Sequence, residues 1–219
     1  MGIMDTAVKQ KVDNFFAKYP LKCFDKRQII IYGNEEPAGV YYLLKGKVRQ
    51  YDISDRGEEV VVNVFKPPSF FPMIWAINKE PNEYFYETLE SIEIRLAPAI
   101  DVVDFLRHDA EVTFDLLARL YSGVNGMQRR MAHLMGGSGQ SRVLFELALE
   151  CKRFGVKQKD GSYLLDLHEE QLANRSGLSR ETVNRELVKL KNRQLIKVFH
   201  KHLVIFDLQK IEDILGTHL

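Results

Sequence analysis

Residues 167–197 restrict the fold more than any other stretch. Residues 168–176 have a helical pattern that turns Leu172 and Ala173 toward one side, and Gly177 and Leu178 then break it. Ser179 is a favoured cap for a second helix, which the pattern carries to about Asn192 or Arg193. Two helices joined by a short glycine-containing turn make a helix-turn-helix. At about 100° per residue, Val183, Leu187 and Leu190 share one narrow stripe. Glu181, Asn184, Arg185 and Val188 lie opposite, with Arg180 at the edge. The stripe packs inward and leaves a polar face that starts at the helix N-terminus. In a helix-turn-helix, those N-terminal residues of the second helix reach base edges.

The residue types suit that task. A guanidinium offers two donors to O6 and N7 of guanine, and a carboxylate accepts from N4 of cytosine. Arginines on either side of Glu181 would hold it charged and oriented. The competing reading is a plain surface helix on which Glu181 and Arg185 pair at the i,i+4 spacing. The complete two-helix frame favours recognition of double-stranded DNA.

The core Ser179-Arg180-Glu181-Thr182-Val183-Asn184-Arg185, followed by Leu187, Leu190, Leu195 and Ile196, resembles the DNA-binding domain of the cyclic-AMP receptor protein/FNR (Crp/Fnr) family. That family has S-R-E-T-V-x-R and then a leucine-spaced helix ending in L-I. The resemblance implies a homodimeric transcription regulator that reads an inverted repeat of T-G-T-G-A-like half-sites and works with RNA polymerase. Ser179, Arg180, Glu181, Asn184 and Arg185 would meet the DNA. Residues 195–198 and 203–206 read as a β wing around Phe199-His200-Lys201-His202, with Lys201 as a peripheral phosphate contact. Asp207 is placed to cap a last helix over residues 208–215.

Charge agrees with this reading without requiring it. The 219 residues carry a formal +1, divided as +3 from residue 140 onward and −2 before it. Cys23 and Cys151 are the only cysteines. A cysteine-ligated iron–sulfur cluster takes four thiolates, so none is expected within one chain, and no disulfide either. No apolar run reaches transmembrane length and the N-terminus lacks a signal-peptide core, so a cytoplasmic protein without a membrane partner is expected. No metal-ligand cluster, phosphate-cradling glycine loop or Ser/His/Asp order points to catalysis, and no enzyme is expected.

Upstream, residues 5–18 read as a short amphipathic helix. From Phe24 to Leu96 the chain changes to short runs rich in Ile, Val, Tyr and Phe: residues 28–32, 40–44, 47–53, 60–65, 84–87 and 92–97. Turn residues separate them, which predicts a compact barrel or sandwich. Their order resembles the family's β-roll sensor domain. Residues 40–48 match its Y-x-L-x-x-G-x-V hairpin and Gly57-Glu58-Glu59 its next G-x-E turn, with Gly46 and Gly57 expected at positive φ.

The ligand segment departs from the family. Cyclic-nucleotide-binding members hold ribose and cyclic phosphate with F-G-E and a later arginine pair. Here Pro72 replaces the glycine, Met73 the glutamate, and Asn82-Glu83-Tyr84 stands where the cation is expected. A phosphate beside Glu83 with no arginine would be repelled, so cyclic AMP is not the expected effector. Aromatic residues fill the segment: Phe70, Phe71, Trp75, Tyr84, Phe85 and Tyr86. They make either a pocket for an apolar or aromatic effector or a self-filled core. The candidate pocket residues are Phe71, Met73, Trp75, Glu83 and Tyr84, joined by Met127 and Gln128, near which effectors touch the long helix in the family. Haem, held by His108 or His133, is a further family option.

From Ala99 the pattern is helical. Ala110, Thr113, Leu117, Leu120, Val124, Met127, Met131 and Leu134 alternate spacings of 3 and 4, a two-stranded coiled-coil seam. A helix packed only on its own domain is the alternative; the family resemblance favours subunit pairing through Leu117, Leu120, Val124, Met127, Met131 and Leu134. Gly123 and Gly126 interrupt this helix and suggest a close approach there. Gly136-Gly137-Ser138-Gly139 reads as a linker and hinge, followed by a helix over residues 142–154. The expected fold is α+β: a cyclic-nucleotide-binding-like β-roll (residues 1–98), a dimerisation helix and hinge (99–137) and a winged helix-turn-helix (138–219). A sensing module whose helix-turn-helix mediates protein contact is the alternative function.

Overall fold

The structure, a computed structural model, describes residues 4–55, 57, 59–199 and 202–216. Its contacts divide the chain into two compact units, one up to Leu120 and one from Tyr121.

The first unit starts with α1 (Thr6–Ala17), capped by Asp5, whose Oδ1 accepts from Ala7 N at 2.8 Å. The strands are β1 (Leu21–Phe24), β2 (Ile29–Ile31), β3 (Val40–Lys45), β4 (Val48–Ile53), β5 (Glu59–Phe65), β6 (Ser69–Phe71), β7 (Phe85–Thr88) and β8 (Ile92–Ala97). They form two antiparallel sheets of order β1-β8-β3-β6 and β2-β7-β4-β5. Helix α2 (Met73–Asn78) follows β6; α3 (Ala99–His108) and α4 (Ala110–Gly136) follow β8.

Strand β3 shows how the layers are built. Successive side chains point to opposite faces. Val40 and Tyr42 pack with Val12 and Phe16 of α1, Val102 of α3 and Val112 of α4. Tyr41 and Leu43 meet Ile31, Val48 and Tyr86 of the other sheet. A strand buried on both faces loses its polar alternation, which is why residues 40–44 read as one apolar run. Gly46 turns into β4 at φ +87°, where a Cβ would lie 2.7 Å from Ser91 O and from Ile92 Cγ2. Gly57 also has positive φ, as expected of that turn.

Strands β1 and β6 and helix α2 are absent from the sequence expectation. The helical run after Ala99 is also broken, at Asp109, whose Oδ1 accepts from Val112 N at 3.1 Å and so begins α4.

The second unit contains the rest of α4, then α5 (Gly139–Phe154), β9 (Val156–Lys157), β10 (Tyr163–Leu165), α6 (Glu169–Ser176), α7 (Arg180–Asn192), β11 (Ile196–Val198), β12 (Leu203–Ile205) and α8 (Leu208–Leu215). The strands form an antiparallel sheet of order β11-β12-β10-β9. Val143, Leu144 and Leu147 of α5 pack with Leu172, Val183, Leu190, Ile205 and Ile211, all at most 1% exposed. Full burial of each such side chain contributes roughly 1.5–3 kcal/mol. The linker expected at residues 136–139 is a two-residue corner. Gly136 closes α4, and Ser138 Oγ accepts from Ser141 N at 3.2 Å to start α5 at Gly139. The fold is thus α+β, with a β-roll, a long helix and a winged helix-turn-helix. No helix among the described residues is long and apolar enough to cross a membrane.

Candidate nucleic-acid interface

The helix-turn-helix is fixed by local bonds. His168 N donates to Gln171 Oε1 at 3.1 Å at the start of α6. At its end Ser176, fully buried, donates from Oγ to Leu172 O at 2.6 Å. Gly177 takes the left-handed conformation at φ +62°, and Leu178 N returns to Ala173 O at 3.1 Å. That conformation favours glycine, which makes the turn compact. Ser179 Oγ then accepts from Thr182 N at 3.2 Å, and α7 begins at Arg180 as its sequence indicated.

Helix α7 buries Val183, Leu187 and Leu190 and exposes Arg180, Glu181, Asn184, Arg185 and Val188. Among the described residues, the side chains of Arg180, Glu181 and Asn184 have no hydrogen bond or ion pair. The Arg185 side chain is 65% exposed, and its ion-pair contact, Nε to Glu186 Oε1, is 3.9 Å long. Glu181 pairs with neither arginine, so the i,i+4 surface pair does not form, nor does the expected bracket around Glu181. The Arg180 guanidinium, the Glu181 carboxylate and the Asn184 amide therefore stand free on the exposed face of α7, and Arg185 has only its long contact to Glu186.

Sequence reasoning missed Glu186, which is only 5% exposed. Its Oε1 accepts from Lys189 Nζ at 2.7 Å, and its Oε2 has no partner among the described residues. The signal was its spacing of three from Val183 and four from Leu190, which puts it on the buried side. In the wing, Lys197 Nζ lies 4.9 Å from the Phe199 ring, which stacks on His202 at 4.5 Å. Lys201 lies outside the described residues.

Within the first unit, the candidate effector residues Phe71 and Tyr84 belong to one buried cluster, and Met73 and Trp75 to another. Phe71 is 1% exposed inside the roll and lies nearly parallel to Tyr86, with ring centroids 5.3 Å apart, and to Tyr41 at 6.0 Å. Phe65 closes the stack 4.6 Å from Phe71, and Tyr84 packs against the same cluster. Burial raises the Tyr86 hydroxyl pKa above its ordinary range. Met73 and Trp75 belong to the other cluster, beneath α1 and α3, and Glu83 is exposed. Met127 and Gln128 are exposed residues of α4 in the second unit. In the roll, Arg49 is bound to Glu59 at 2.6 Å and Glu87 at 2.5 Å.

Along α4, Leu117, Leu120, Val124, Met127 and Met131 are 38–60% exposed. Leu134 is half-buried. His133 Nδ1 is 3.0 Å from Ser141 Oγ, and His108 Nδ1 is 2.9 Å from Asp104 O. Among the described residues, no three His, Cys, Asp or Glu side chains gather as a metal site.

Comparisons with known proteins agree with this arrangement. Residues 21–109 match the family model for the cyclic nucleotide-binding domain, and residues 141–214 match the Crp-like helix-turn-helix domain. The global nitrogen regulator of Nostoc sp. strain PCC 7120 is 26% identical over 188 residues, 84% of each chain. A CRP-like cAMP-activated global transcriptional regulator of Mycobacterium tuberculosis is 23% identical over 184 residues, covering 83% of this chain and 82% of that one. A solved structure of a CRP/FNR-family transcriptional regulator from Thermus thermophilus shares the fold with a TM-score of 0.71 at 21% identity, over 90% of this chain and 99% of that one. These domains and relatives are those of transcription regulators, not enzymes. With a nucleotide-binding-type roll in its first half and a Crp-like helix-turn-helix in its second, the chain belongs to the Crp/Fnr family of DNA-binding transcription regulators.

Proposed function

We propose that the protein acts as a homodimer that reads an inverted repeat with T-G-T-G-A-like half-sites, in partnership with RNA polymerase. The observation that carries this reading is the exposed polar face of α7, on which Arg180, Glu181 and Asn184 have no partner among the described residues and Arg185 only a long one. Arg180 and Arg185 contact guanines, Glu181 accepts from a cytosine, and Asn184 adds an adenine or phosphate contact. Ser179 sits at the helix start beside the backbone, and Lys201 in the wing adds a phosphate contact. Selection from randomised duplexes tests it. The expected product is an inverted repeat with half-site centres about 34–36 Å apart. Enrichment of single sites, or of none, defeats the proposal.

Two features of α4 support dimerisation. The apolar residues Leu117, Leu120, Val124, Met127 and Met131 are exposed at alternating spacings of 3 and 4, and Leu134 continues the row. Gly123 and Gly126 have no heavy atom within 4 Å of where a Cβ would sit, so the chain's own packing gives no reason for glycine. A second copy of the helix lying along this row covers the apolar side chains and passes beside Gly123 at its edge; Gly126 lies on the far side and is not explained by it. Replacing Val124 and Met131 with Asn buries unpaired amides at that interface, at a cost of about 1–3 kcal/mol each. Sedimentation should then find monomers with weak DNA binding; a dimeric double mutant with normal binding defeats the pairing.

The proposed effector is not cyclic AMP. Pro72, Met73 and Glu83 replace the groups that hold a cyclic phosphate, Arg49 is already paired twice, and the Phe71 stack occupies the interior of the roll. An effector entering near Phe71 or Tyr84 has to displace aromatic contacts rather than fill a charged cradle.

A further inference from the structure

The end of α4 is bonded to α5 and α6 at one partly enclosed site. Arg130 Nε donates to Glu146 Oε1 at 2.7 Å, and Arg130 Nη2 reaches the carbonyl oxygen of Arg175 at 3.4 Å. Arg175, in the last turn of α6, donates through Nη1 to Glu150. Glu146 and Glu150 are a turn apart on α5 and only 4% and 9% exposed. Burial raises both carboxyl pKa values, against the opposing pull of Arg130 and Arg175. Arg153 of α5 adds a further positive charge that favours the Glu150 carboxylate.

The neighbouring turn is equally tied. His133 Nδ1 is 3.0 Å from Ser141 Oγ, and the His133 ring packs 4.4 Å from buried Phe145. At the corner a Cβ on Gly137 would fall 2.4 Å from His133 O, and Arg142 Nε donates to Gly137 O at 3.1 Å.

A buried carboxylate is strongly unfavourable once its cation is removed. Glu146 takes its paired cation from α4 and Glu150 takes one from α6, with Arg153 of α5 alongside. Arg175 lies two residues before Gly177, whose turn sets the direction of α7. We infer that Arg130 and Arg175 are positioning residues for DNA recognition: they fix the end of α6, and through it the presentation of α7, against α4. This rests on α7 being the reading helix. A shift of the α4 end is then passed to the reading helix through these side chains.

The test uses the full chain and the substitution Arg130→Lys. A lysine keeps a charge opposite Glu146 but cannot also reach the Arg175 carbonyl. Affinity for the duplex enriched by the wild type should fall about threefold to thirtyfold, the range of coupling through a packed network. Affinity for random duplex, and its salt dependence, should not change, because phosphate contacts are untouched. Without DNA, hydrogen exchange of the amides in residues 175–185 should quicken. Wild-type affinity for the enriched duplex overturns the inference, and so does an equal loss on enriched and random duplex. If the wild type enriches no duplex, the reading of α7 fails instead, and unchanged exchange in residues 175–185 separately overturns the hold of Arg130 on α6.

Discussion

On the outer face of α7, Arg180, Glu181 and Asn184 have no partner among the described residues, and Arg185 has only a long contact to Glu186. In the β-roll, Arg49 is held by two carboxylates, and Phe71 lies against Tyr41, Phe65 and Tyr86. Both regions carry chemistry suited to another molecule, but only one leaves it free. Exposed charges on a rigid helix stay hydrated and can exchange water for phosphate or base edges. A ring stack at close packing already has its dispersion contacts, which any ligand must replace. On the proposed reading, DNA recognition rests on the exposed face of α7, whereas the ring stack stabilises the roll.

The largest effect that tests this contrast is on Phe71. Phe71→Ala should cost about 3–5 kcal/mol of unfolding free energy in urea. A loss below about 1 kcal/mol would mean that the ring lines open space, and the contrast would collapse. On the other side, Arg185→Ala should remove about 1–3 kcal/mol of binding to the enriched duplex and relax preference at one base pair. Its stability should stay within about 0.5 kcal/mol of the wild type, as for other exposed substitutions. An unchanged selected motif with uniformly weaker binding would make α7 a backbone contact only.

Introducing Met73→Glu with Glu83→Arg should leave the roll unable to bind cyclic AMP tightly, because Pro72 and the Phe71 stack remain. Isothermal titration reads this, and micromolar binding by the wild type would reverse the reading of the segment. The smallest effect belongs to Lys201→Ala, which should weaken all duplexes alike and reduce the salt slope by about one.

The recognition half was legible because its signals are local. Ser179 caps α7, Asp207 caps α8, and the spacing of Val183, Leu187 and Leu190 defines the buried side. The roll was legible in outline and less so in detail. Strand β6 has three residues, all buried, between Pro68 and Pro72, so neither length nor alternation marks it. Strand β1 follows Pro20 and is largely exposed, and α2 is too short to set a helical period. The split between Phe70 and Phe71 was hidden for another reason. Phe70 and Phe71 are adjacent in sequence, but one faces the helices and the other the roll interior. Only pairing with β3, at Tyr42↔Phe70 and Tyr41↔Phe71, decides which ring goes where.

The boundary between the two compact units falls inside α4, which runs unbroken from Ala110 to Gly136. A helix converts added length into rotation. One alanine inserted after Leu120 turns every later residue by about 100°, since a turn takes about 3.6 residues. Val124, Met127 and Met131 would leave the line of Leu117 and Leu120, whereas seven inserted residues return them to within about 20°. Any chimera that joins this roll to a relative's DNA-binding half has to be spliced in helical phase, and matching its length alone will not suffice.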